Sequence, residues 1–319
     1  MHDKVRMPVV SLAGAPDAVF WVFAIVASFV VGMILDLSDL LWVDTGFAFT
    51  LAVLMAYRGF QWSSINDLHE LYLRRNAAIG VTRLSVAVSL VWGIFVVLFF
   101  ADPTIEGLWA PMYVINSYAA TKFFGQHVGQ WFGPRLRRDV YERKNLAAAV
   151  VLGSFTLATG LIYGGAMWGE VVPGALVYGA VFELLPGYSD AWWITPWFFF
   201  MGWVVMVVSL RRWLAQEPYN FADRIVRDRS LAEAKVAALF IVANGIVIAH
   251  AVHGDYLGFG QSHSGFFVFL IPLVALHLYA KVRAKNPMNR DREGMTYVVL
   301  AVIGIIAVRV LAALTATPI

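Results

Sequence analysis

The sequence predicts an all-α membrane protein, a polytopic bundle of about nine transmembrane helices, and three observations lead to this prediction. The 319-residue chain is 60% hydrophobic and only 14% charged, and it contains 12 tryptophans. Such a composition is typical of a protein whose solvent is largely lipid. The apolar residues gather into long stretches, and the basic residues are distributed unevenly over the loops between those stretches.

Nine apolar stretches are predicted to form the transmembrane helices, although the second and the eighth are short for a complete crossing. In chain order the predicted spans are Ala18 to Leu35, Gly46 to Gly59, Ala78 to Phe100, Pro111 to Phe132, Leu146 to Trp168, Ala191 to Leu210, Ala232 to Val252, Gly265 to Ala280 and Gly294 to Ala313. No convincing small-residue cleavage site follows the first stretch, so we expect a retained helix rather than a removed signal peptide. The chain, residues 1–319, is accordingly predicted to be a single integral membrane domain.

The lysines and arginines between the spans predict the orientation, because they occupy one alternating set of loops. The basic loops are 4–6, 74–75, 135–144, 211–229 and 281–292. The opposite loops contain aspartate and glutamate but no lysine or arginine. By the positive-inside rule we expect a bacterial inner-membrane protein with its N-terminus in the cytoplasm and its C-terminus outside.

The same charges suggest which partners to expect. Basic loops at the cytoplasmic face would contact anionic headgroups of the lipid bilayer. The net charge of +3 averages a basic face with an acidic face, so it gives no reason to expect nucleic acid. Other membrane proteins remain possible partners, because apolar helices with small-residue faces pack readily against further helices.

A short motif recurs at the cytoplasmic start of several helices. Tyr72-Leu-Arg-Arg-Asn76-Ala-Ala78 matches Tyr141-Glu-Arg-Lys-Asn145-Leu-Ala147, and Asp228-Arg229-Ser230-Leu231-Ala232 is a weaker copy. Helix capping and positive-inside charges alone would explain such a motif. The other interpretation is duplication, which would give a leading helix, 18–35, and four helix pairs at 46–100, 111–168, 191–252 and 265–313.

The stretch 145–255 resembles the YjfL-like family of small bacterial inner-membrane proteins of unknown function. The resemblance rests on Asn145-Leu-Ala-Ala148 at the start of a helix that contains Gly153 and Gly160, and it extends more faintly to 57–101. Ser230-Leu-Ala-Glu233 departs from the family's pattern in the second half. The resemblance implies paired membrane helices, and it implies no particular activity.

Polar residues within the apolar helices are the candidates for function. On the fourth span Tyr118, Lys122, Gln126 and Gln130 follow a spacing of four residues, with Asn116 and His127 on the adjoining face. A lysine at the bilayer centre costs ~3 kcal/mol on insertion scales, so Lys122 should face the bundle interior or water. The predicted transport path consists of Asn116, Lys122, Gln126, His127 and Gln130, with Glu233 and Asn244 of the seventh span. In the structural alternative, Lys122 extends to the inner surface and the amides bond neighbouring helices.

Histidines near the outer surface allow a second hypothesis. His250, His253, Asp255 and His263 could bind a divalent metal, since imidazole and carboxylate are common ligands of such ions. Histidines at an interface more often form hydrogen bonds to loops or headgroups. A haem is also possible, with axial ligands from His127, His250, His253 and His277. The chain has no cysteine, which excludes thiolate sites.

Three functions are compatible with these features. The first is an ion or small-solute transporter or channel, because the polar stripe is difficult to explain by packing alone. The alternative is a non-catalytic scaffold or assembly subunit of a membrane complex, which would use the helix faces that carry Gly153, Gly160, Gly164 and Gly165. The third is a haem- or metal-binding redox protein. Phosphate-loop, zinc-protease and serine-hydrolase motifs are missing from the sequence, so an enzyme is not expected.

Overall fold

The structure is a computed structural model. It describes residues 17–37, 46–47, 49–57, 70–72, 74–101, 109–169, 194–217, 220–252, 259–285 and 290–315. The chain divides into two compact units, residues 1–60 and residues 61–319. Most of the described residues are helical, and they contain no strand apart from an isolated bridge between Ala101 and Trp168.

The first unit contains two helices. Helix α1 covers Asp17–Leu37, and helix α2 covers residues 49–57. The two segments approach closely at a pair of glycines, because a Cβ atom on Gly46 would lie 2.9 Å from the Cα of Gly32. The buried Ser28 donates a hydrogen bond of 2.7 Å to the Ala24 carbonyl, so its hydroxyl is satisfied within α1.

The second unit contains the remaining helices. They are α3 (Ala77–Phe99), α4 (Trp109–Ala120), α5 (Leu146–Met167), α6 (Ile194–Leu214), α7 (Phe221–Val226), α8 (Leu231–Ala251), α9 (Phe259–Phe269), α10 (Ile271–Lys285) and α11 (Arg290–Thr315). Between α4 and α5 the chain forms a first π-helix, Thr121–His127, a 3₁₀-helix, Val128–Phe132, and a second π-helix, Leu136–Glu142.

Six helices in the described residues are long and apolar enough to cross a membrane. They are Ala77–Phe99, Leu146–Met167, Thr195–Leu214, Leu231–Ala251, His263–Arg283 and Arg292–Leu314. The predicted class, a polytopic helical membrane protein, is confirmed, whereas nine spans are not shown. The predicted fourth span remains helical but changes from α to π at Thr121. The predicted eighth span belongs to the helix His263–Arg283, in which a turn at Leu270 separates α9 from α10 just before Pro272.

Four helices, α3, α5, α8 and α11, pack in a row, each against the next. The first π-helix lies on α5, α6 lies on α5 and α8, and α10 lies mainly on α11. The order of the helices determines how much of each one is buried. In the most apolar part of Leu146–Met167, 78% of the residues are buried, whereas in that of Arg292–Leu314 only 17% are. Helix α5 is therefore the centre of the unit, and α11 leaves most of its surface for lipid.

Glycines allow α5 to approach both neighbours in the row. A Cβ atom on Gly160 would collide with Ser89 of α3, and one on Gly165 would collide with the Ala249 carbonyl of α8. From the other side, a Cβ atom on Gly245 of α8 would lie 2.7 Å from the Cβ of Ala158. The small residues that were predicted as a surface for partner proteins are thus used for packing within the chain.

The starts of α3, α5 and α8 share one local structure. The residue before each cap has a left-handed backbone, with φ of 49° at Arg75, 51° at Lys144 and 52° at Arg229. The N–H of each following cap residue, Asn76, Asn145 or Ser230, donates to the carbonyl six residues earlier, at 3.1, 2.9 and 3.0 Å. Each cap side chain then accepts a hydrogen bond from an N–H of the first helical turn.

Two of these caps also join one helix start to the next. The Nδ2 of Asn76 donates to the Val140 carbonyl at 3.0 Å, and the Nδ2 of Asn145 donates to the Ile225 carbonyl at 2.8 Å. Val140 precedes Asn145 by five residues, and Ile225 precedes Ser230 by five residues. We call the end of the second unit at which α3, α5, α8 and α11 begin the basic end.

Replacement of Asn145 with Ala is expected to lower the free energy of unfolding by about 2–4 kcal/mol, because the variant loses a helix cap and leaves the Ile225 carbonyl unpaired. The matched control is Asn220→Ala. Asn220 is an exposed cap with one hydrogen bond, to the Ala222 N–H, and its loss should cost about 1 kcal/mol or less. Unfolding in detergent micelles would measure both, and equal losses would contradict the linking role of Asn145.

Replacement of Gly165 with Ala is expected to cost about 1–3 kcal/mol, because the added Cβ collides with the backbone of α8 rather than with a movable side chain. Gly265→Ala is the control. A Cβ atom there meets nothing within 4 Å, and the residue is helical. The control should therefore be neutral or stabilising by up to about 1 kcal/mol. Thermal unfolding of the two variants in the same detergent would compare them.

Candidate functional site

The predicted path residues of the fourth span lie around the first π-helix. Lys122 and Gln126 are buried, and the Nζ of Lys122 donates to the Oε1 of Gln126 at 3.3 Å. The same ammonium lies 5.9 Å from the centre of the Tyr118 ring, within range of a cation–π contact. We call Tyr118, Lys122, Gln126 and Gln130 the Lys122 cluster.

Close packing on α5 accompanies the change of helix type. A Cβ atom on Gly125 would lie 2.8 Å from the Cα of Thr156. Gln130, at the end of the cluster, donates to the Gln126 carbonyl at 3.3 Å and accepts from the Leu136 N–H at 3.2 Å. It therefore connects the helical segment to the start of the second π-helix. Short π-helices are frequent at functional sites, although Gly125 supplies a packing reason here.

The carboxylates that could have paired with Lys122 have other cations nearby. Asp139 is fully buried, accepts from the Arg135 N–H at 2.8 Å, and forms ion pairs with Arg138 at 2.9 Å and Arg143 at 3.5 Å. The hydrogen bond to the Asp139 carboxylate raises the pKa of Arg138 above its ordinary value. Glu233 pairs with Arg290 at 3.1 Å. Asp139 and Glu233 therefore form ion pairs with arginines at the basic end.

Asn244 lies in a different polar group, formed with Ser209 of α6 and His277 of α10. Asn244 is 1% exposed and donates from Nδ2 to the Phe240 carbonyl at 2.8 Å. Its Oδ1 contacts the Ser209 hydroxyl, which also lies 2.8 Å from the Nε2 of His277. We call Ser209, Asn244 and His277 the Ser209 triad.

The chemistry of the triad fixes the direction of its hydrogen bonds. A backbone carbonyl only accepts, so the amide nitrogen of Asn244 must face Phe240 and the amide oxygen must face Ser209. The Ser209 hydroxyl therefore donates to Asn244, and it accepts from a protonated Nε2 of His277. In a neutral imidazole the other nitrogen, Nδ1, is then an acceptor. It is buried and has no hydrogen-bond partner in the described part of the chain.

An aromatic layer separates the triad from the basic end. Trp213, Phe240 and Tyr297 are each 1% exposed or less. Trp213 stacks on Phe240 with ring centres 4.8 Å apart, and its Nε1 donates to the Tyr297 hydroxyl at 3.2 Å. Phe240 also meets the His277 ring edge to face at 5.8 Å. The layer therefore closes the bundle interior between α6, α8 and α11.

Charged side chains lie on the other side of this layer, and we call Glu217, Glu233, Arg283, Arg290 and Glu293 the charge network. The side chains of Arg283, Glu217 and Glu293 are 3%, 1% and 0% exposed. Arg283 pairs with both of these carboxylates, and its Nε lies 2.7 Å from Glu293. Arg290 reaches Glu293 at 2.7 Å and Glu233 at 3.1 Å. Within the network as the structure describes it, three carboxylates face two guanidinium groups.

A groove of about 410 Å³ runs between α6 and α10 and reaches the triad. Its polar lining consists of Ser209, Arg212, Gln216, His277 and Lys281. Its apolar lining consists of Val204, Val205, Val208, Leu273, Val274 and Leu278. The cationic residues lie towards the basic end, and Val204 and Leu273 mark the opposite end of the groove.

The histidines predicted to bind a metal make hydrogen bonds of their own. The Nε2 of His250 accepts from the Nε of Arg309 at 2.9 Å, and the Nε2 of His263 accepts from the Nε1 of Trp197 at 2.9 Å. His253 and Asp255 lie outside the described residues. The described residues include no group of three or more histidine, aspartate or glutamate side chains able to hold a metal. A metal or haem at these histidines stays a prediction.

The structure thus distributes the predicted path over separate places. Lys122 contacts Gln126, Asn244 contacts Ser209, and Glu233 joins the charge network. His127 stacks on Phe123 with ring centres 5.7 Å apart, and Asn116 is half-buried on α4.

Several members of the triad and the network were not predicted. They are Ser209, Glu217, His277, Arg283, Arg290 and Glu293. The charged residues stand at the ends of apolar stretches, where the positive-inside distribution of loop charge alone accounts for them. His277 was considered only as a haem ligand. No sequence signal separates Glu217 and Glu293 from other carboxylates of the same basic segments, such as Asp223, Asp228 and Asp291.

Comparison with known families gives a match to a family of unknown function. Residues 104–252 match the family model described as Domain of Unknown Function (DUF350). The match contains α4, α5, α6 and α8, which are two of the four predicted helix pairs, and it supports a membrane protein similar to a family of unknown function. The narrower resemblance to the YjfL-like family stays a prediction. No curated protein and no solved structure matches the chain.

Replacement of Arg283 with Met is expected to lower the free energy of unfolding by about 3–5 kcal/mol, because it removes the cation that Glu217 and Glu293 share and leaves Arg290 as the remaining guanidinium of the network. Arg224→Met breaks an exposed pair with Asp228 and should cost about 1 kcal/mol or less. Adding Glu217→Gln to Arg283→Met should recover part of the loss. A loss no larger than that of Arg224→Met would contradict the buried network.

Proposed function

We propose that this protein transports a small cation across the membrane, along a path between α6, α8, α10 and α11. One observation carries the proposal. The Ser209 triad, which presents an acceptor nitrogen, lies in line with the buried carboxylates and guanidinium groups of the charge network, and an aromatic layer separates the two groups. The proton is the cation to test first, since the triad contains a histidine.

The cost of burying these groups supports a functional role. A buried ion pair is weak evidence for stability, because desolvation offsets most of its attraction and apolar residues often serve equally well. Ionisable residues inside a membrane protein usually mark ion paths or relays. The charge network places Arg283, Glu217 and Glu293 almost completely out of contact with solvent. A purely structural contact between helix ends does not need this arrangement.

The proposed path has three levels. The carboxylates of the charge network would be the first groups to contact a cation at the basic end. The layer of Trp213, Phe240 and Tyr297 is the constriction, and it is closed in the structure. The triad beyond it would receive the ion, or the proton at the Nδ1 of His277. By the positive-inside rule, we propose that the basic end faces the cytoplasm of a bacterial inner membrane.

The Lys122 cluster has a less direct place in this proposal. Lys122 is buried and cationic, so it would oppose a cation moving alongside it. Its ammonium is engaged with Gln126 and Tyr118, both within the same helical segment. We therefore propose that the path uses Asn244 and Glu233 of the predicted residues, and that Lys122 acts on the packing of the first π-helix.

The alternative is a scaffold subunit that assembles a larger membrane complex. The alternative relies on small-residue helix faces as surfaces for partner proteins. The glycines of these faces instead pack against other helices of the same chain, and the pairs are Gly160 with Ser89, Gly164 with Trp92 and Gly165 with Ala249. The exposed aliphatic surface of α11 remains available for helix packing, although lipid covers such a surface equally well.

Proton flux into proteoliposomes, followed with an internal pH dye, tests the proposal. Asn244→Leu and His277→Phe should each lower the proton flux at least about tenfold. Each variant removes a polar group of the Ser209 triad, which is the proposed binding site beyond the aromatic layer. Arg224→Gln, on the exposed surface of α7, should leave the flux unchanged.

Two outcomes would redirect the proposal. If Lys122→Met abolishes flux while Asn244→Leu retains it, the path follows the fourth predicted span instead. If vesicles with the wild-type chain are no leakier than empty vesicles for protons, sodium and potassium in both gradient directions, the scaffold alternative is favoured. Thermal unfolding of each variant in detergent separates loss of the path from loss of the fold.

A further inference from the structure

The groove between α6 and α10 has a second property, which does not depend on transport. Its apolar residues Val204, Val208, Val274 and Leu278 are 39–60% exposed, so this side of the groove faces the surroundings of the bundle. Since α6 and α10 belong to membrane-spanning helices, those surroundings are lipid. A ligand would therefore reach the groove laterally, from within the bilayer.

The length of the groove corresponds to one leaflet. From Val204 to Leu214, where α6 ends, the helix rises over 10 residue steps, which at 1.5 Å per residue is about 15 Å, and Gln216 lies in the turn that follows. Half of a typical hydrocarbon core is about 15 Å thick. The groove thus extends from the basic end of the bundle to about the level of the membrane centre.

The chemistry of the lining changes along this length. Arg212, Gln216 and Lys281 stand at the basic end, Ser209 and His277 follow, and the remainder is aliphatic. Arg212 and Lys281 come from different helices and present two positive charges to the same groove. A phospholipid has the same polarity in the same order, with a charged headgroup at the interface and acyl chains towards the centre.

We propose that this groove is a binding site for one anionic phospholipid from the leaflet at the basic end. Its phosphate and charged headgroup lie between Arg212 and Lys281, with Gln216 as a further hydrogen-bond donor. One acyl chain lies along Val208, Leu273 and Val274. Exposed apolar walls alone would accept any lipid, so the two cations are what select an anionic one.

The site explains why Arg212 and Lys281 face a groove that also contains a triad suited to a cation. The phosphate of the lipid would neutralise them, and its acyl chain would separate the triad from the bilayer. The lipid would be a resident component of the protein rather than its transported substrate. The binding proposal therefore stands or fails separately from transport.

Native mass spectrometry of the delipidated full chain tests the proposal, with dioleoyl phosphatidylglycerol and dioleoyl phosphatidylcholine as probes. We expect one molecule of phosphatidylglycerol to bind at least about tenfold more tightly than phosphatidylcholine, since each basic residue near a headgroup strengthens binding severalfold. The double variant Arg212→Gln/Lys281→Gln should bind the two lipids equally.

A charge-matched control is available at the same end of the bundle. Arg135→Gln/Arg137→Gln removes two exposed arginines outside the groove and should keep the preference for phosphatidylglycerol. Val208→Trp, at a position that is 60% exposed, fills the apolar wall without disturbing the core and should weaken binding of phosphatidylglycerol about tenfold.

Three results would overturn the proposal. Equal binding of the two lipids by the wild-type chain would show only general contact with lipid. If Arg135→Gln/Arg137→Gln loses the preference for phosphatidylglycerol as completely as Arg212→Gln/Lys281→Gln does, the preference comes from general surface charge rather than from the groove. Competition by soluble glycerophosphoglycerol at the same concentration as the lipid would show an anion site that does not use the apolar wall. Size-exclusion chromatography of each variant confirms that the fold is intact.

Discussion

The approach of α5 to the backbones of α3 and α8 is the constraint on which the second unit depends. In lipid there is little hydrophobic force between helices, so the row of helices must be stabilised by close contact and by satisfied polar groups. At Gly160 and Gly165 the helices are so close that even a Cβ atom would collide with Ser89 or with the Ala249 backbone. Once α5 is fixed between its neighbours, the positions of Asn145 and of the cap loops around it follow.

Polar groups complete this packing at the basic end. The left-handed residues Arg75, Lys144 and Arg229 are not glycines, so each cap loop carries a small backbone cost. Hydrogen bonds from Asn76 to Val140 and from Asn145 to Ile225 offset this cost by pairing carbonyls that would otherwise be buried alone. Three loops of the same geometry are what duplicated helix pairs would leave, and duplication stays a prediction.

The class of fold could be predicted because hydropathy and loop charge depend on local sequence alone. The cap positions Asn76, Asn145 and Ser230 were also visible, since a capping side chain acts within its own turn. The site was harder to predict, because Ser209, Asn244 and His277 come from three helices that are distant in the chain. A stripe such as Lys122, Gln126 and Gln130 is obvious on one helix, whereas a triad with one polar residue per helix has no pattern in the sequence.

The fixed direction of the hydrogen bonds in the Ser209 triad has a consequence for what an experiment on it would detect. The bonds run from His277 to Ser209 to Asn244 to the Phe240 carbonyl, and none of them uses the Nδ1 of His277. A proton added at that nitrogen makes the ring a double donor and leaves every existing bond unchanged. The triad can therefore change its charge without moving an atom of its framework. Diffraction at two pH values would give the same atomic positions for the triad, whereas the ¹⁵N resonances of the His277 imidazole would report the change in its protonation.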